Sequence, residues 1–520
     1  MDDPSVLSLL PIAVAIGLAL WTRQVVLSLF SGVLVAALIV TGGAPGAALI
    51  RCADPWLLDA ISDRDHTKVA LFSLLVAATV AIATKSGGTA ALVELITRRA
   101  RNRRTGMLAT WVSGMVVFFD DYANCLIVGS AMRPVADRLR ISREKLAYLV
   151  DSTAAPMATI ALVSTWVGYE VGLMDDALRT LGRDEDAYAF FIAGLPYRFY
   201  PLLALAFGFW IAMTGRDFGP MLAAESSRLS ADPEPVPPSP PLWRAWLAIL
   251  PIAALVIVTG ASLWTQGTAS SAPGAAMFEI IGAADGYDAM LHGSLASVAL
   301  AVVLAAGSRA MKLSEVSPAL IDGMKELFEA LVILYLAWSL GAAIGELKAA
   351  DYLLSALGDA LPAWSLPTVT FLLAAAIAFA TGTSFGTMAV LMPLALPLAL
   401  ALEPTTGPIA LGTAASVLSG AVWGDHCSPI SDTTVLSSTG AGCDHTEHVR
   451  TQLPYAIAAG VVAVLFGTLP AGFGVSPWLL LPIGVAACGA LVMTLGRVPT
   501  SQQVPSARSH SATSSHPGAP

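Results

Sequence analysis

Apolar runs long enough to cross a hydrocarbon core, which takes about 20 residues, recur from the start of this chain to residue 495. Nothing else in the sequence constrains the fold so strongly. Only 12% of the 520 residues are charged, against 56% hydrophobic. Soluble domains carry roughly a quarter charged residues, so there are too few here to coat a water-facing surface. The expected class is an all-α polytopic membrane protein, with the lipid bilayer as its first partner. A net charge of −9 gives no electrostatic support to a nucleic-acid partner. The opening Met1-Asp2-Asp3-Pro4 has no basic segment before the first apolar run, which is therefore expected to stay as a span. Five cysteines, scattered and mostly inside apolar stretches, match neither a disulfide framework nor a zinc spacing.

Candidate spans fall at about 5–21, 24–41, 68–86, 145–169, 190–212, 243–263, 289–307, 325–345, 408–438, 453–473 and 476–495. Two further apolar stretches, 106–136 and 366–400, are interrupted halfway by polar residues and are long enough to enter a bilayer and return. The first is preceded by Arg98, Arg99, Arg101, Arg103 and Arg104 and followed by Arg138, Arg140, Arg143 and Lys145. A single crossing would place one basic cluster on the wrong side, whereas a re-entrant hairpin keeps both in the cytoplasm. The second stretch has no Lys or Arg at 349–366 or 401–408, so its hairpin is expected to enter from outside. With both hairpins accepted, about 11 full spans remain, the N-terminus is outside and the C-terminus cytoplasmic.

Three spans, a hairpin and two spans fill 1–212, with the hairpin at 106–136 and a broken helix at 145–169. The same series fills 243–473, with the hairpin at 366–400 and a broken helix at 408–438. Five full spans is an odd number, so the second series is expected to be inverted relative to the first. The Pro-rich segment within 213–242 reads as an extended cytoplasmic linker. An extra transmembrane helix is expected at 474–498, and the Ser-, His- and Pro-rich tail 499–520 carries nothing to pack a core.

Ionisable groups inside spans cost roughly 2.5–3.5 kcal/mol each on insertion scales and usually mark ion or substrate paths. Four places collect them here. The first hairpin tip holds Asp120, Asp121 and Asn124. Two adjacent carboxylates in hydrocarbon need a cation, a proton or a donor; an ordinary loop would carry them too, but the basic flanks argue against one. Asp151 and Thr153 precede Pro156, which frees backbone carbonyls from the helix ladder. The second tip offers Thr381, Thr383, Ser384 and Thr387 beside Gly382 and Gly386, which allow close backbone approach. The last site, Asp425, His426, Ser428, Pro429, Ser431, Asp432, Thr433 and Thr434, repeats the arrangement of an Asp shortly before a Pro. Pro156, Gly382, Gly386 and Pro429 are the expected helix breaks. Matched breaks in two halves point to a transport site near the bilayer midplane.

The segments FFDDYANCLIVGSAMRP (118–134), LAYLVDSTAAPMATIALVST (146–165), TGTSFGTMAVLMP (381–393) and GDHCSPISDTTVLSS (424–438) resemble the NhaC-type sodium/proton antiporter family, within the wider ion transporter superfamily. The last segment is the most specific. The resemblance covers about 5–495 and implies scaffold spans, a mobile elevator-like transport domain carrying the hairpins, and a homodimer in the cell (plasma or inner) membrane. It implies no cofactor beyond the transported Na+ and H+.

The expected activity is export of cytoplasmic sodium in exchange for protons. Asp120, Asp121, Asp151, Asp425 and Asp432 alternately hold the cation or protons, and neighbouring hydroxyls complete the oxygen shell. The alternative is sodium- or proton-coupled exchange of a small organic anion such as malate or lactate. It needs a basic residue at the site, for which Lys85 or His426 would have to serve. A remote alternative is an intramembrane enzyme using paired aspartates or the His445/His448 pair; the segment carrying that pair reads as a solvated polar turn, and no HExxH helix is present.

Overall fold

The computed structural model describes residues 5–500 apart from 23, 99, 184, 230–240, 272–279, 281–282, 350–351 and 353–361. The expected tail and most of the Pro-rich linker lie outside the described residues. The linker's opening residues instead end a helix at Gly219–Leu229. Among the described residues there is no β-strand, only an isolated bridge between Asp217 and Arg497. In lipid an unpaired backbone amide has no water to bond, so an apolar chain closes its hydrogen bonds within helices. Eight of the described helices are long and apolar enough to cross a membrane, or ten if each of two bent pairs is one span.

The first half opens with α1 (Leu10–Thr22) and α2 (Val25–Val40), shorter than the spans expected there. At 1.5 Å per residue the 16 residues of α2 reach roughly 24 Å. After α3 (Arg64–Lys85), α4 (Arg103–Val116) runs into a bend at 117–120, and the chain returns from Asp121 through α5 (Gly129–Arg138). The next segment breaks twice: α6 (Arg143–Asp151), α7 (Ala155–Ile160) and α8 (Thr165–Thr180) are separated by short irregular links. The turn into α8 bends this segment by 46°. It runs past the expected limit of 169. Pro156 stands in the first turn of α7, where a missing N–H costs nothing, so the break lies just before it rather than at it. The half closes with α9 (Phe199–Thr214).

The second half contains α10 (Trp246–Ser270), α11 (Gly286–Gly307), α12 (Leu313–Glu326) and α13 (Phe328–Glu346). Then α14 (Leu366–Thr381) turns at 382–383 into α15 (Ser384–Leu402). Gly382 has φ +71°, the left-handed value that lets the chain reverse there. Gly386 is not a break: it lies in the first turn of α15, and an added Cβ would sit 2.6 Å from a Val25 methyl. α16 (Pro408–Cys427) and α17 (Asp432–Ala441) flank a non-helical link at 428–431 that contains Pro429. α18 (His445–Ala463) and α19 (Pro477–Leu495) end the described chain.

Small residues set the closest approaches. α14 and α16 form the most extensive helix pair. Cβ atoms added at Gly420 and Gly424 would lie 2.3 and 2.1 Å from the carbonyl oxygens of Phe371 and Ala375. Such a small-residue pair four apart lets helix backbones touch where lipid supplies no hydrophobic drive. All five cysteines are free.

Candidate ion-binding site

The two hairpin bends and the two broken segments meet at one place. Asp120 accepts the Ala123 N–H at 2.7 Å, capping the returning arm, and the Thr165 hydroxyl at 3.1 Å. The Phe119 carbonyl accepts the Thr165 N–H at 3.0 Å, which docks the first bend on the start of α8. At the second bend, the Ser428 hydroxyl donates to the Phe379 carbonyl at 2.8 Å. Gly382 is pressed against the same 428–431 link, where a Cβ would come within 2.6 Å of the Ile430 oxygen. Each bend therefore rests on the break that follows it in sequence.

Further bonds cross between the halves. The Tyr122 hydroxyl donates to Asp432 at the start of α17. The Tyr169 hydroxyl of α8 donates to the Phe385 carbonyl at 2.6 Å. Ser431 caps α17 by accepting the Thr434 N–H, which puts Asp432, Thr433 and Thr434 in its first turn. From there the Thr433 hydroxyl donates to Asp425 Oδ2 at 3.0 Å and the Thr434 hydroxyl to Asp151 Oδ2 at 3.3 Å. Asn124 staples the first half: its amide donates to the carbonyls of Gly114, Val117 and Thr153 at 2.7, 3.2 and 3.0 Å.

The decisive property of the cluster is what it leaves unpaired. Asp121 Oδ2, Asn124 Oδ1, Asp151 Oδ1, Ser384 Oγ and Asp425 Oδ1 are buried and accept no hydrogen bond from the protein. Asp121, Asp151 and Asp425 are at most 3% exposed. An unsatisfied buried polar atom costs roughly 1–3 kcal/mol, and more when charged. Carboxylate, amide and hydroxyl oxygens are hard ligands that suit a small cation or a proton. No group of three or more His, Cys, Asp or Glu side chains suited to a metal ion occurs among the described residues. Asp432 differs from the buried carboxylates, because it is exposed and lines a cavity of ≈ 360 Å³. Tyr122, Thr381, Gly382, Thr383, Glu326 and Glu329 share that lining.

Not every expected hydroxyl is oriented by the site. Those of Thr381 and Thr387 donate back to the carbonyls of Ile377 and Thr383, at 2.8 and 2.9 Å. Thr153 does the same to Leu149 and Val150. Such back-bonding satisfies the hydroxyl within its own helix and leaves only lone pairs to offer. His426 is buried, with Nδ1 3.0 Å from the Tyr200 hydroxyl and Nε2 unpartnered. Pro429 is exposed, whereas Ser428 and Ser431 of the same link are buried.

The sequence profile of the Na+/H+ antiporter family matches residues 157–469. An uncharacterized protein of Haemophilus influenzae is 33% identical over 477 residues, covering 90% of this chain and 91% of its own length. The chain belongs to the Na+/H+ antiporter family. The segments 381–393 and 424–438 lie wholly within the matched residues, and this multi-pass membrane protein is an antiporter. The malate-2H+/Na+-lactate antiporter of Bacillus subtilis is 33% identical to it over 153 residues, which is 28% of this chain and 31% of the relative. In fold the antiporter is similar to the YdaH transporter of Alcanivorax borkumensis, with a TM-score of 0.58 and 16% identity over 86% of this chain and 89% of the other.

The cluster also includes groups that the sequence does not place there. His448 belongs to helix α18 and is fully buried, its Nε2 3.4 Å from Asp151 Oδ2, which corrects the solvated turn expected there. Gln452, one turn further on, donates to the same oxygen at 2.5 Å. Their spacing of four in a helix that becomes apolar was the available signal. Lys85 is about half exposed and paired with Asp322 at 2.7 Å rather than with a site carboxylate. Arg198 is fully buried instead, paired with Glu170 at 2.6 Å and bonded to the Thr159 hydroxyl at 2.8 Å.

Proposed function

We propose that this antiporter exports sodium in exchange for protons, both handled by the oxygen cluster at the crossing of the bends and breaks. The observation that carries this reading is the set of buried carboxylate oxygens on Asp121, Asp151 and Asp425 left without protein donors. A proton or a sodium ion satisfies such an oxygen, and each excludes the other, so the two compete. Competition gives antiport when the empty, charged site crosses poorly. Asp120 and Asp432 complete the acidic set. Thr153, Thr383, Ser384, Thr387, Ser428, Thr433 and Thr434 lend lone pairs, because a hydroxyl that donates to a carbonyl still accepts. The hairpins and broken segments form the moving unit of an elevator-like, inverted-repeat transporter of the ion transporter superfamily. It works as a homodimer in the cell membrane with its N-terminus outside.

The test is proton flux in proteoliposomes with sodium, potassium, malate and lactate compared side by side. Sodium is expected to drive counter-flow of protons, and potassium and the organic acids are not. Flux that follows an organic acid and ignores sodium alone overturns the reading.

The cavity over Asp432 supplies a second prediction. Glu326 and Glu329 are exposed on its wall and add negative charge beside the one site carboxylate that meets solvent. A cleft of one charge sign concentrates counter-ions, and salt weakens the effect. The double variant Glu326→Gln/Glu329→Gln is expected to raise the sodium KM about threefold at low ionic strength, with the difference from wild type shrinking as choline chloride is added. An equal shift at every ionic strength counts against the vestibule.

One observation favours the organic-anion reading. Arg198 is fully buried, and its Nε and Nη2 atoms have no acceptor. Its charge is met by Glu170, and Phe191 lies 4.5 Å from the guanidinium carbon, which leaves a neutral pair rather than a bare anion site. A carboxylate substrate able to displace Glu170 would show itself as lactate- or malate-dependent flux lost in Arg198→Gln.

A further inference from the structure

Asp151 is held from a helix that carries none of the family-like segments. Its Oδ2 accepts from Gln452 Nε2 at 2.5 Å and Thr434 Oγ1 at 3.3 Å, and lies 3.4 Å from His448 Nε2. Its Oδ1 has no partner. The same Gln452 Nε2 donates to the His426 carbonyl at 3.0 Å, in the last turn of α16. Both neighbours of that nitrogen are acceptors, which fixes the orientation of the amide without ambiguity. Gln452 is 2% exposed, and its own Oε1 is unpartnered. His448, one helical turn earlier, is in turn held by Ser437 Oγ at 3.0 Å from its Nε2.

One amide thus spans two broken segments, α6 in the first half and α16 in the second. Together with the Thr434 hydroxyl it occupies one oxygen of Asp151 and leaves the other bare. A carboxylate free to rotate would spread its charge over several orientations and lose entropy each time it ordered around a cation. Held by two bonds on one side, Oδ1 is presented in a fixed direction beforehand, which lowers the cost of binding.

We propose that Gln452 is the positioning residue for Asp151, with His448 as its support: it fixes which carboxylate oxygen faces the cation and ties that oxygen's position to the end of α16, just before the break. This rests on the reading of Asp151 as an ion-holding group. Because Gln452 acts before the cation is bound, its loss falls on affinity rather than on the transport step.

The experiment uses the full-length protein in proteoliposomes, with proton flux followed over a sodium titration and thermal stability measured alongside. Gln452→Met keeps the length of the side chain and removes the donor. It is expected to raise the sodium KM about tenfold while kcat stays within about threefold of wild type, with a modest fall in melting temperature from the two lost buried hydrogen bonds. Gln452→Asn is shorter by one methylene and cannot span Asp151 and the His426 carbonyl together; it is expected to give the same rise, and it carries the test if the methionine variant fails to fold. A sodium-responsive wild type whose variants keep KM within about twofold overturns the role of Gln452 alone. So does a fall in kcat and stability at unchanged KM, which marks a purely structural residue. A wild type indifferent to sodium overturns the proposed function and this role with it.

Discussion

Asp425→Asn is expected to abolish sodium-dependent proton flux while the protein still folds and reconstitutes. Asparagine has nearly the same shape, and its carbonyl oxygen still accepts the Thr433 hydroxyl that reaches Asp425 Oδ2 at 3.0 Å. What disappears is the charge and the ability to carry a proton. Asp425 is 1% exposed, and its free Oδ1 belongs to the unpaired oxygen set, so no water-borne charge replaces it. Removing one charge from a buried, mutually adjusted group costs roughly 2–5 kcal/mol, equivalent to a loss of about thirtyfold to several thousandfold. Stopped-flow or fluorescence-quench measurement of proton flux at matched protein density checks this. Normal flux in the variant would remove Asp425 from the mechanism.

Gly424→Val is expected to prevent assembly of the transport core. A Cβ at Gly424 would lie 2.1 Å from the Ala375 carbonyl oxygen and 2.8 Å from the Ala378 Cβ. The first neighbour is backbone within α14, so no rotamer change relieves the clash, and the two helices must separate. Overpacking a well-packed interior costs typically about 1–3 kcal/mol, and a rigid backbone neighbour puts this site at the upper end. The same helices carry the second hairpin arm and the Asp425 break, so separating them also detaches Ser428 from the Phe379 carbonyl. Size-exclusion profiles of detergent-solubilised protein should show aggregated or much reduced material. Gly46→Val provides the control, since nothing lies within 4 Å of its Cβ position. A monodisperse, wild-type-like Gly424→Val would show that the α14–α16 contact tolerates a branched side chain and is not closely packed.

Much of the fold was legible because lipid imposes one-dimensional rules. Run length fixes where helices form, and polar interruptions in two long apolar stretches marked the bends at 117–120 and 382–383. The carboxylates were legible for the same reason, since Asp121, Asp151 and Asp425 have no ordinary place in an apolar run. What stayed hidden was pairing across the chain. Gln452 lies 301 positions from Asp151, and an amide in a helix gives no sign of which carboxylate it meets. Lys145 read as part of a basic flank, yet it is fully buried, paired with Asp217, which also accepts the Tyr455 hydroxyl at 2.6 Å. Charge counting sees the sign of such a residue and not its partner. Composition offers Thr381 and Thr387 as free ligands, and the helix geometry that turns their hydroxyls onto their own backbone is invisible at that level. Gly386 shows the same limit, because a glycine near a bend can serve close packing rather than the bend itself.

The central claim is that sodium and protons compete for the same buried oxygens, and its most direct test needs no membrane. Purified protein in a lightly buffered detergent solution near neutral pH is titrated with sodium chloride while released protons are followed with a pH indicator, choline chloride serving as the ionic-strength control. The account predicts saturable proton release with sodium, none with choline, and loss of the signal in Asp425→Asn. Sodium addition that releases no protons from wild-type protein, across a pH series in which transport is active, would contradict competition at a shared site.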